Sequence, residues 1–576
     1  MRFFTCKNGP RLGLILLLWI HGLFAAHPLR AQAVTNMDTI PDPTELETPG
    51  ATARMSDTNG PTGSLAAPPV LTAVPSLAPA TSTTPAPAPA LSPSSPATGL
   101  SAPLSLNSAT PESPVAEEAA HPGSGETILA ALLSAGALGG FILYYCGLTR
   151  AKNCGHTSTL LLLGSAFALA GYWAGGFAVQ AGGIGDAHAA LPGPLVLDER
   201  GALDHELGFM AGGHHWGFMG SAGFFLSADE SSREAMAALF LVQAAGLVIA
   251  VGGMLGAALE RGRILAMSVL AFLVGAVIYP LSANWIWGGG WLAALGRGFG
   301  LGNGVVDLAG AGVVHETAGA LALAVALVLG SRHGRYNGKA FFIPGHNVPF
   351  TIVGALLLLL AWISTNAFAP AGPSETGTTF ATSAVNVVLG GVGGILATMF
   401  LNSWRRQRAT PARLTRGLLG GAVALSSGSA LFDSWAALVI GLLAGLVVDG
   451  TMAWLDRKRV DDPAGATAVH GAAGAWGLLA TGLFANGTAG RGINAVEAPV
   501  RGLFFGGAWH QLAAQAAGAV VIFATAFALG GTALLLLHKI LGNRVRLADE
   551  IQGLDWPQVG ALGYQPDVEP DEPGAS

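Results

Sequence analysis

Asp307-Leu-Ala-Gly-Ala-Gly-Val-Val-His315-Glu-Thr-Ala-Gly-Ala320 and Asp462-Pro-Ala-Gly-Ala-Thr-Ala-Val-His470-Gly-Ala-Ala-Gly-Ala475 share one pattern, D-x-A-G-A-x-x-V-H-x-x-A-G-A. Identity at that many fixed offsets exceeds chance even in a chain rich in glycine and alanine, so the two stretches are copies of one unit. In a helix each histidine lies about 12 Å along the axis from its aspartate, at about 1.5 Å per residue. The glycines and alanines around it keep the helix thin and suited to close packing.

The composition of the chain says where such helices live. Of its 576 residues 51% are hydrophobic and 11% charged, with 83 glycines and a mean hydropathy of +0.52. A soluble domain carries about 25% charged residues, so this chain has too few to cover a water-facing surface. A bilayer core of about 30 Å takes roughly 20 apolar residues per helix. Eleven such spans are expected, near 127–148, 157–180, 235–259, 264–286, 306–330, 347–369, 379–402, 416–431, 433–455, 466–486 and 510–538. The eighth is short and broken by Ser426-Ser427-Gly428-Ser429. The fold class is therefore an all-α polytopic membrane protein.

Charge sets the orientation. Alternate connections carry Arg150 and Lys152, Arg261 and Arg263, Arg332, Arg335 and Lys339, Arg405 to Arg416, Arg457 to Arg459, and Lys539 to Arg546. The other loops hold only Arg200, Arg233, Arg297, Arg491 and Arg501. Every basic loop falls on one side, which puts the amino terminus outside and the carboxyl terminus in the cytoplasm; the plasma (inner) membrane is the expected location. The two copies then sit on the fifth and tenth spans. Repeats of five helices run in opposite directions, so the expectation is a 5+5 inverted repeat plus a final helix, with a path for solute at the repeat interface. Asp307 belongs near the outer mouth, Asp462 near the inner one, and both histidines at mid-depth.

A titratable group at the centre of a bilayer is costly and marks a functional site by default. Imidazole donates from one nitrogen and accepts at the other, with an unperturbed pKa near 6.5. Two neighbouring rings would line an apolar bore with hydrogen-bonding partners or share a proton. A pair of packing histidines is the plain alternative. A metal site is disfavoured, because no cysteine or carboxylate accompanies the histidines at ligand spacing, and no nucleophile stands beside them to suggest an enzyme. No cofactor, metal or nucleic-acid partner is expected; membrane lipid is.

The amino-terminal segment reads differently. Arg2, Lys7 and Arg11 precede the short apolar run Leu12–Ala26, and Ala31-Gln32-Ala33 offers a cleavage site, so residues 1–33 read as a signal peptide. Residues 34–125 are rich in Pro, Ala, Ser and Thr and read as a disordered extracytoplasmic tether. The transmembrane domain covers 126–541 and a cytoplasmic tail 542–576. Cys146 and Cys154 fall on the reducing side, where a structural disulfide is not expected.

Several motifs resemble the ammonium transporter family (Amt/Mep/Rh), over about 127 to Tyr564. Tyr144-Tyr145-Cys146-Gly147-Leu148-Thr149-Arg150 with Lys152-Asn153 resembles the first-helix exit, and Gln243-Ala244-Ala245 with Gly256-Ala257-Ala258-Leu259-Glu260-Arg261 the third helix. Trp287-Gly288-Gly289-Gly290, Asp307 to His315, Trp362 with Asn366-Ala367, and Arg459-Val460-Asp461-Asp462-Pro463 through His470 are similar to further family motifs. Gly553-Leu554-Asp555 and Tyr564 resemble the family's tail. The resemblance implies that Trp287 and Asp307 form or brace an outer cation site and that His315 and His470 line the bore. It also implies a homotrimer, conduction of ammonium or ammonia, and a possible PII-type signal protein at the cytoplasmic face.

The sequence departs from the family where stacked phenylalanines form its gate: Val242 and Gly246 stand in the third helix and Thr365 in the sixth. A vestibule serine is replaced by Ala369, and an aspartate before the tenth-helix histidine by Gly465. Val559-Gly560-Ala561 stands where the tail has His-Gly-Glu, and Phe368 is a candidate substitute for a gate residue. The outer pore is expected to widen, weakening selectivity, unless side chains from the long insertion at 181–233 fill the space. The insertion at 181–233, with His214-His215-Trp216, reads as a solvated loop over the vestibule. Beside the transporter reading stand an ammonium-binding sensor of the same fold and a pore for another small solute.

Overall fold

A computed structural model describes residues 124–184, 203, 205–227, 230, 233–367 and 380–565. The expected signal peptide and nearly all of the tether, with Phe368 and Ala369, lie outside the described residues.

Among the described residues, each of the eleven expected spans contains α-helix, the eighth only as far as Val423. The long helices are α1 (Ala137–Leu148), α2 (Cys154–Gly171), α3 (Arg233–Leu255), α4 (Ile264–Leu273), α5 (Thr317–Leu329), α6 (Val348–Ala367) and α7 (Phe380–Trp404). They are followed by α8 (Pro411–Val423), α9 (Ser434–Arg457), α10 (Ala473–Phe484) and α11 (Trp509–Ile540). Ser124–Ala135 precedes α1 across a break at Gly136. Among the described residues, nine helical stretches are long and apolar enough to cross a membrane. The segments of α8 and α10 fall where the eighth and tenth spans are expected but are not among the nine.

Four of the helices are not uniform. α2 and α4 run through π turns at Tyr172–Gly176 and Val274–Ile278 before continuing as Phe177–Ala181 and Tyr279–Ile286. α5 and α10 are entered through π turns at Ala311–Glu316 and Thr467–Ala472. Such turns re-aim side chains and are frequent at functional sites. These last two contain the histidines of the repeated motif.

Leu162, Leu356, Leu360, Phe400 and Leu536 are exposed on the helix flanks, whereas Asn366, Asn386, Ser426, Gln515 and both histidines are buried. Apolar outside and polar inside is the pattern of a chain solvated by lipid. α6 packs along α1, α7 along α8 and α9, and α11 along α5 and α10. α5 lies against the Thr467–Ala472 turn, and α10 lies against the Ala311–Glu316 turn, a reciprocal arrangement of the two repeated segments.

Irregular backbone inside this shell is satisfied by specific partners, as a non-aqueous interior demands. Beyond α8, the Ser426 and Ser427 carbonyls accept the N–H groups of Ala309 and Leu308. Asn386 donates to the Ser429 and Phe432 carbonyls. Gln515 of α11 accepts from Val306 N–H and donates to its carbonyl. The serine-rich break is thus the brace that holds the Asp307 turn.

The insertion departs from a plain loop. β1 (Glu206–Ala211) and β2 (His214–Gly220) form an antiparallel hairpin. Gly212 and Gly213, at φ +61° and +79°, make its two-residue turn, a conformation that glycine adopts without steric cost. β2 seats on the Trp285–Trp291 loop: Trp291 N–H donates to the Gly217 carbonyl and Trp285 Nε1 to that of Phe218, both at 2.9 Å.

Candidate functional site

The two repeated aspartates do the same work. Asp307 Oδ1 accepts the N–H groups of Gly310 and Ala311, and Oδ2 those of Gly312 and Val313, at 2.8–3.2 Å. Asp462 Oδ1 accepts from Gly465 and Ala466 and Oδ2 from Thr467, at 2.7–3.1 Å. Each carboxylate caps the orphan donors that open a histidine-bearing helix, and its charge complements the helix dipole. Asp307 is buried and both its oxygens are engaged, so it braces the turn rather than presenting a free carboxylate.

The segments cross at glycines. A carbon added to Gly319 would fall 2.0 Å from Gly471 N, and one added to Gly474 would fall 2.4 Å from the Ala311 carbonyl oxygen. No side chain fits between these backbones, and that closeness brings the imidazoles together. His315 Nδ1 and His470 Nδ1 are 2.9 Å apart, with ring centroids 5.1 Å apart and planes at 22°. Both histidines are buried.

An Nδ1–Nδ1 contact at hydrogen-bond distance has a definite consequence. One nitrogen donates its proton and the other accepts, so the two rings hold opposite tautomers whenever both are neutral. The first ring then offers a bare Nε2 acceptor and the second an Nε2–H donor. Two fully protonated rings would set donor against donor. The pair therefore tolerates at most one added proton and always keeps a donor for a polar solute.

The walls around the pair are aromatic and thin. Trp362 stands edge-on to both rings, with centroids 5.3 and 5.8 Å away. Its Nε1 is buried without a hydrogen-bond partner among the described residues, an orphan donor beside the imidazoles. Phe141 of α1 lies 6.1 Å from His470. α3 approaches through Gly253, where an added carbon would meet His470 at 3.1 Å.

At the Asp307 end, Trp287 Nε1 donates to the Asp307 carbonyl at 2.6 Å, and the indole packs against Gly310. The structure thus brings Trp287, Asp307, His315, His470 and Trp362 into one connected region. The positions of the missing gate rings have their own fates. A carbon at Gly246 would fall 2.7 Å from the Tyr279 hydroxyl and 3.3 Å from Val314, so that space is occupied. Thr365 Oγ1 donates back to the carbonyls of its own helix, Ala361 and Trp362. Val242 is half-buried. Tyr279 and Phe141 were not singled out in the sequence; a tyrosine about two turns before Trp287 in an apolar helix was the available signal for the former.

The opposite end is an ionic network. Glu260 accepts from Arg332 Nη1 at 2.7 Å, Arg150 Nε at 2.9 Å and Asn153 Nδ2 at 2.7 Å. Burial pushes its carboxyl up, but the Arg332 and Arg150 guanidiniums win and hold it down to about 2. Asp461 is treated alike: burial raises it, and Arg332 and Arg261 hold it well below the carboxylate range. The tail is tied to this end by Asp555, whose Oδ1 accepts His156 N–H at 2.8 Å and Oδ2 Gly563 N–H at 2.9 Å. Asn153, the residue before α2, spends its side chain on Glu260 and Leu554 N–H instead of capping its own helix.

The profile of the Ammonium Transporter Family matches residues 127–564. The chain is 32% identical over 436 residues to ammonium transporter Amt2 of Archaeoglobus fulgidus, covering 74% of this chain and 84% of that protein. It is 30% identical over 379 residues to ammonium transporter 1 member 1 of Solanum lycopersicum, covering 63% and 77%. A solved structure of a sensor Amt protein superposes with a TM-score of 0.63 at 24% identity, over 76% of this chain and 98% of that one. Candida albicans Mep2 superposes at 0.61 and 24%, over 78% and 92%.

Proposed function

The chain belongs to the ammonium transporter family, and from that premise we propose that it is an ammonium/ammonia channel or transporter with a twin-histidine bore. Ammonium is recruited at an outer vestibule, where the Trp287 face attracts a cation by its π-system and Asp307 braces the turn behind it. Ammonia then passes beside His315 and His470. The proposed setting is a homotrimer in the plasma (inner) membrane, with eleven spans in a 5+5 inverted repeat plus a final helix. The tail faces the cytoplasm, where a PII-type protein is a candidate partner. Residues 1–33 are a removed signal peptide and 34–125 an extracytoplasmic tether.

The single observation that carries this reading is the 2.9 Å imidazole pair with the orphaned Trp362 donor beside it. Ammonium and potassium match in charge and nearly in size, so a water-filled hole passes both. A narrow apolar passage charges any bare cation a heavy desolvation cost. Ammonium alone escapes that cost by leaving a proton behind and crossing as ammonia, accepted and donated to in turn by the opposite tautomers of the pair. Where the proton remains outside, the flux is neutral; where it follows along the imidazoles, a current accompanies it.

Flux of methylammonium into proteoliposomes tests the proposal. His315→Ala and His470→Ala should each change rate or selectivity by tenfold or more, the order typical when a positioned polar group is lost. Wild-type behaviour in both variants would leave the histidines as packing residues. A second reading is an ammonium-binding sensor with little conduction, suggested by the Tyr279 hydroxyl standing in the space beside Gly246. Substrate binding by the wild type without flux would select it.

A further inference from the structure

We infer that Arg416 makes the inner mouth of the pathway cation-repelling, occupying at the inner end the seat that Trp287 occupies at the outer end. The inference takes its substrate and its sense of inner and outer from the proposed transport reading; the field of Arg416 does not depend on that reading.

Gly310 and Gly465 are equivalent positions in the two repeated segments, and both are left-handed, at φ +93° and +76°. A carbon added to Gly310 would fall 3.1 Å from Trp287 Cη2. One added to Gly465 would fall 2.7 Å from Arg416 Nε and 2.9 Å from its Cδ. Each of these side chains also donates to carbonyls of the adjoining turn. Trp287 Nε1 bonds the Asp307 carbonyl at 2.6 Å; Arg416 Nε bonds that of Ala464 at 2.9 Å and Nη2 that of Pro463 at 2.8 Å. The repeat therefore keeps one seat beside the start of each histidine helix and fills it with an aromatic face at one end and a guanidinium at the other. The first attracts a cation; the second carries a positive charge and repels it.

Among the described residues the surroundings of that charge are net positive. A cleft of about 410 Å³ adjoins Arg416, and its lining holds six arginines and four aspartates. Three of the arginines are ion-paired to Asp461, Asp456 and Asp449. Arg413, Arg416 and Arg457 are then left with the single carboxylate of Asp462, which is held by backbone N–H groups, so the lining keeps an excess of positive charge. Arg413 bonds the neutral Asn402 and Gln407, and Arg416 only neutral carbonyls. A guanidinium at this position is the kind of electrostatic barrier that excludes cations from a pore while leaving neutral solutes free. Ammonium from the cytoplasm meets it; ammonia leaving the bore does not.

The test reads the field directly. Met452 Sδ lies 3.2 Å from the same point above Gly465 and lines the cleft, so Met452→Cys places a reporter thiol there. In full-length protein in proteoliposomes, its reaction rates with a cationic and an anionic methanethiosulfonate are compared, with the chain lacking this cysteine as baseline. The expected ratio favours the anionic reagent. Arg416→Met, or Arg416→Gln should the first not reach the membrane, shifts it about tenfold toward the cationic one, while Arg416→Lys keeps it. The half-saturation of ammonium offered from the inner side falls by a similar factor in the neutral variants, with the outer-side value unmoved. A reagent ratio within twofold of the parent in the neutral variants overturns the inference. A shifted ratio in vesicles that carry no flux upholds the field and defeats the transport reading instead.

Discussion

Gly319→Ala is the smallest change that should pull the histidines apart. The added carbon would sit 2.0 Å from Gly471 N and 2.2 Å from its Cα, both backbone atoms that cannot swing aside. To reach even the 3.4 Å lower edge of ordinary contact, the Gly471 turn must retreat by about 1.4 Å. His470 precedes Gly471 and moves with it, so the 2.9 Å imidazole contact opens beyond hydrogen-bond range. A broken buried hydrogen bond costs about 1–3 kcal/mol, and overpacking a tight crossing costs about 1–3 kcal/mol more. The variant should therefore melt lower in detergent and lose most of its methylammonium flux although no polar group has been removed. Gly450→Ala is the control: it lies exposed on α9 with nothing within 4 Å of an added carbon, and should gain about 0.5–1 kcal/mol from helix propensity. A Gly319→Ala protein with wild-type melting and flux would refute the claim that glycine closeness sets the histidine pair.

Two further outcomes concern the ionic end. Asp555→Ala removes the acceptor of His156 and Gly563 N–H; amide exchange at His156 and around residues 553–564 should rise by about five- to thirtyfold, an opening cost of roughly 1–2 kcal/mol lost with the cap. Glu260 is held to about 2 in the folded chain, against about 4.3 unfolded. A depressed carboxylate stabilises fully above the unfolded value and progressively less as pH falls toward the folded one. Wild-type melting should thus hold between pH 7 and 5 and drop below about pH 4. Glu260→Gln should begin lower, by on the order of 3 kcal/mol, and lose less on acidification. Equal acid sensitivity in the two would show that Glu260 does not carry the effect.

The helices were legible because a bilayer imposes length and apolarity on each span, and both are linear properties of sequence. The histidine pair was legible because the repeat is local: Asp307 and Asp462 lie within one short motif of the side chains they help to place. What was not legible depends on contacts between distant segments. The π turns at Ala311–Glu316 and Thr467–Ala472 leave no mark in hydropathy. Asp555 caps a helix that starts near residue 154, and no local pattern joins the two. The hairpin was an error of a different kind. Gly212-Gly213 between Phe209-Met210 and Trp216 is a turn signal in plain view, but an insertion without long apolar runs reads as a loop when spans are being sought.

The rebuilt gate shows how sequence and structure answer different questions. Reading Gly246 as a missing ring leads to an expectation of empty volume. The structure puts the Tyr279 hydroxyl and Val314 against that position, and Tyr279 belongs to a packed aromatic group with Tyr172, 6.4 Å away, which stacks in turn on Phe240 at 5.3 Å. Tyr172 donates to Gln180, and Gln180 to Gln243 on α3, both at 2.8 Å. The volume lost on one helix has been returned from its neighbours, with a hydroxyl where a phenyl edge is expected. A hydroxyl forms hydrogen bonds that a phenyl edge cannot, and here it donates to the Gln243 carbonyl, so the position has exchanged an apolar ring for a polar group tied to α3.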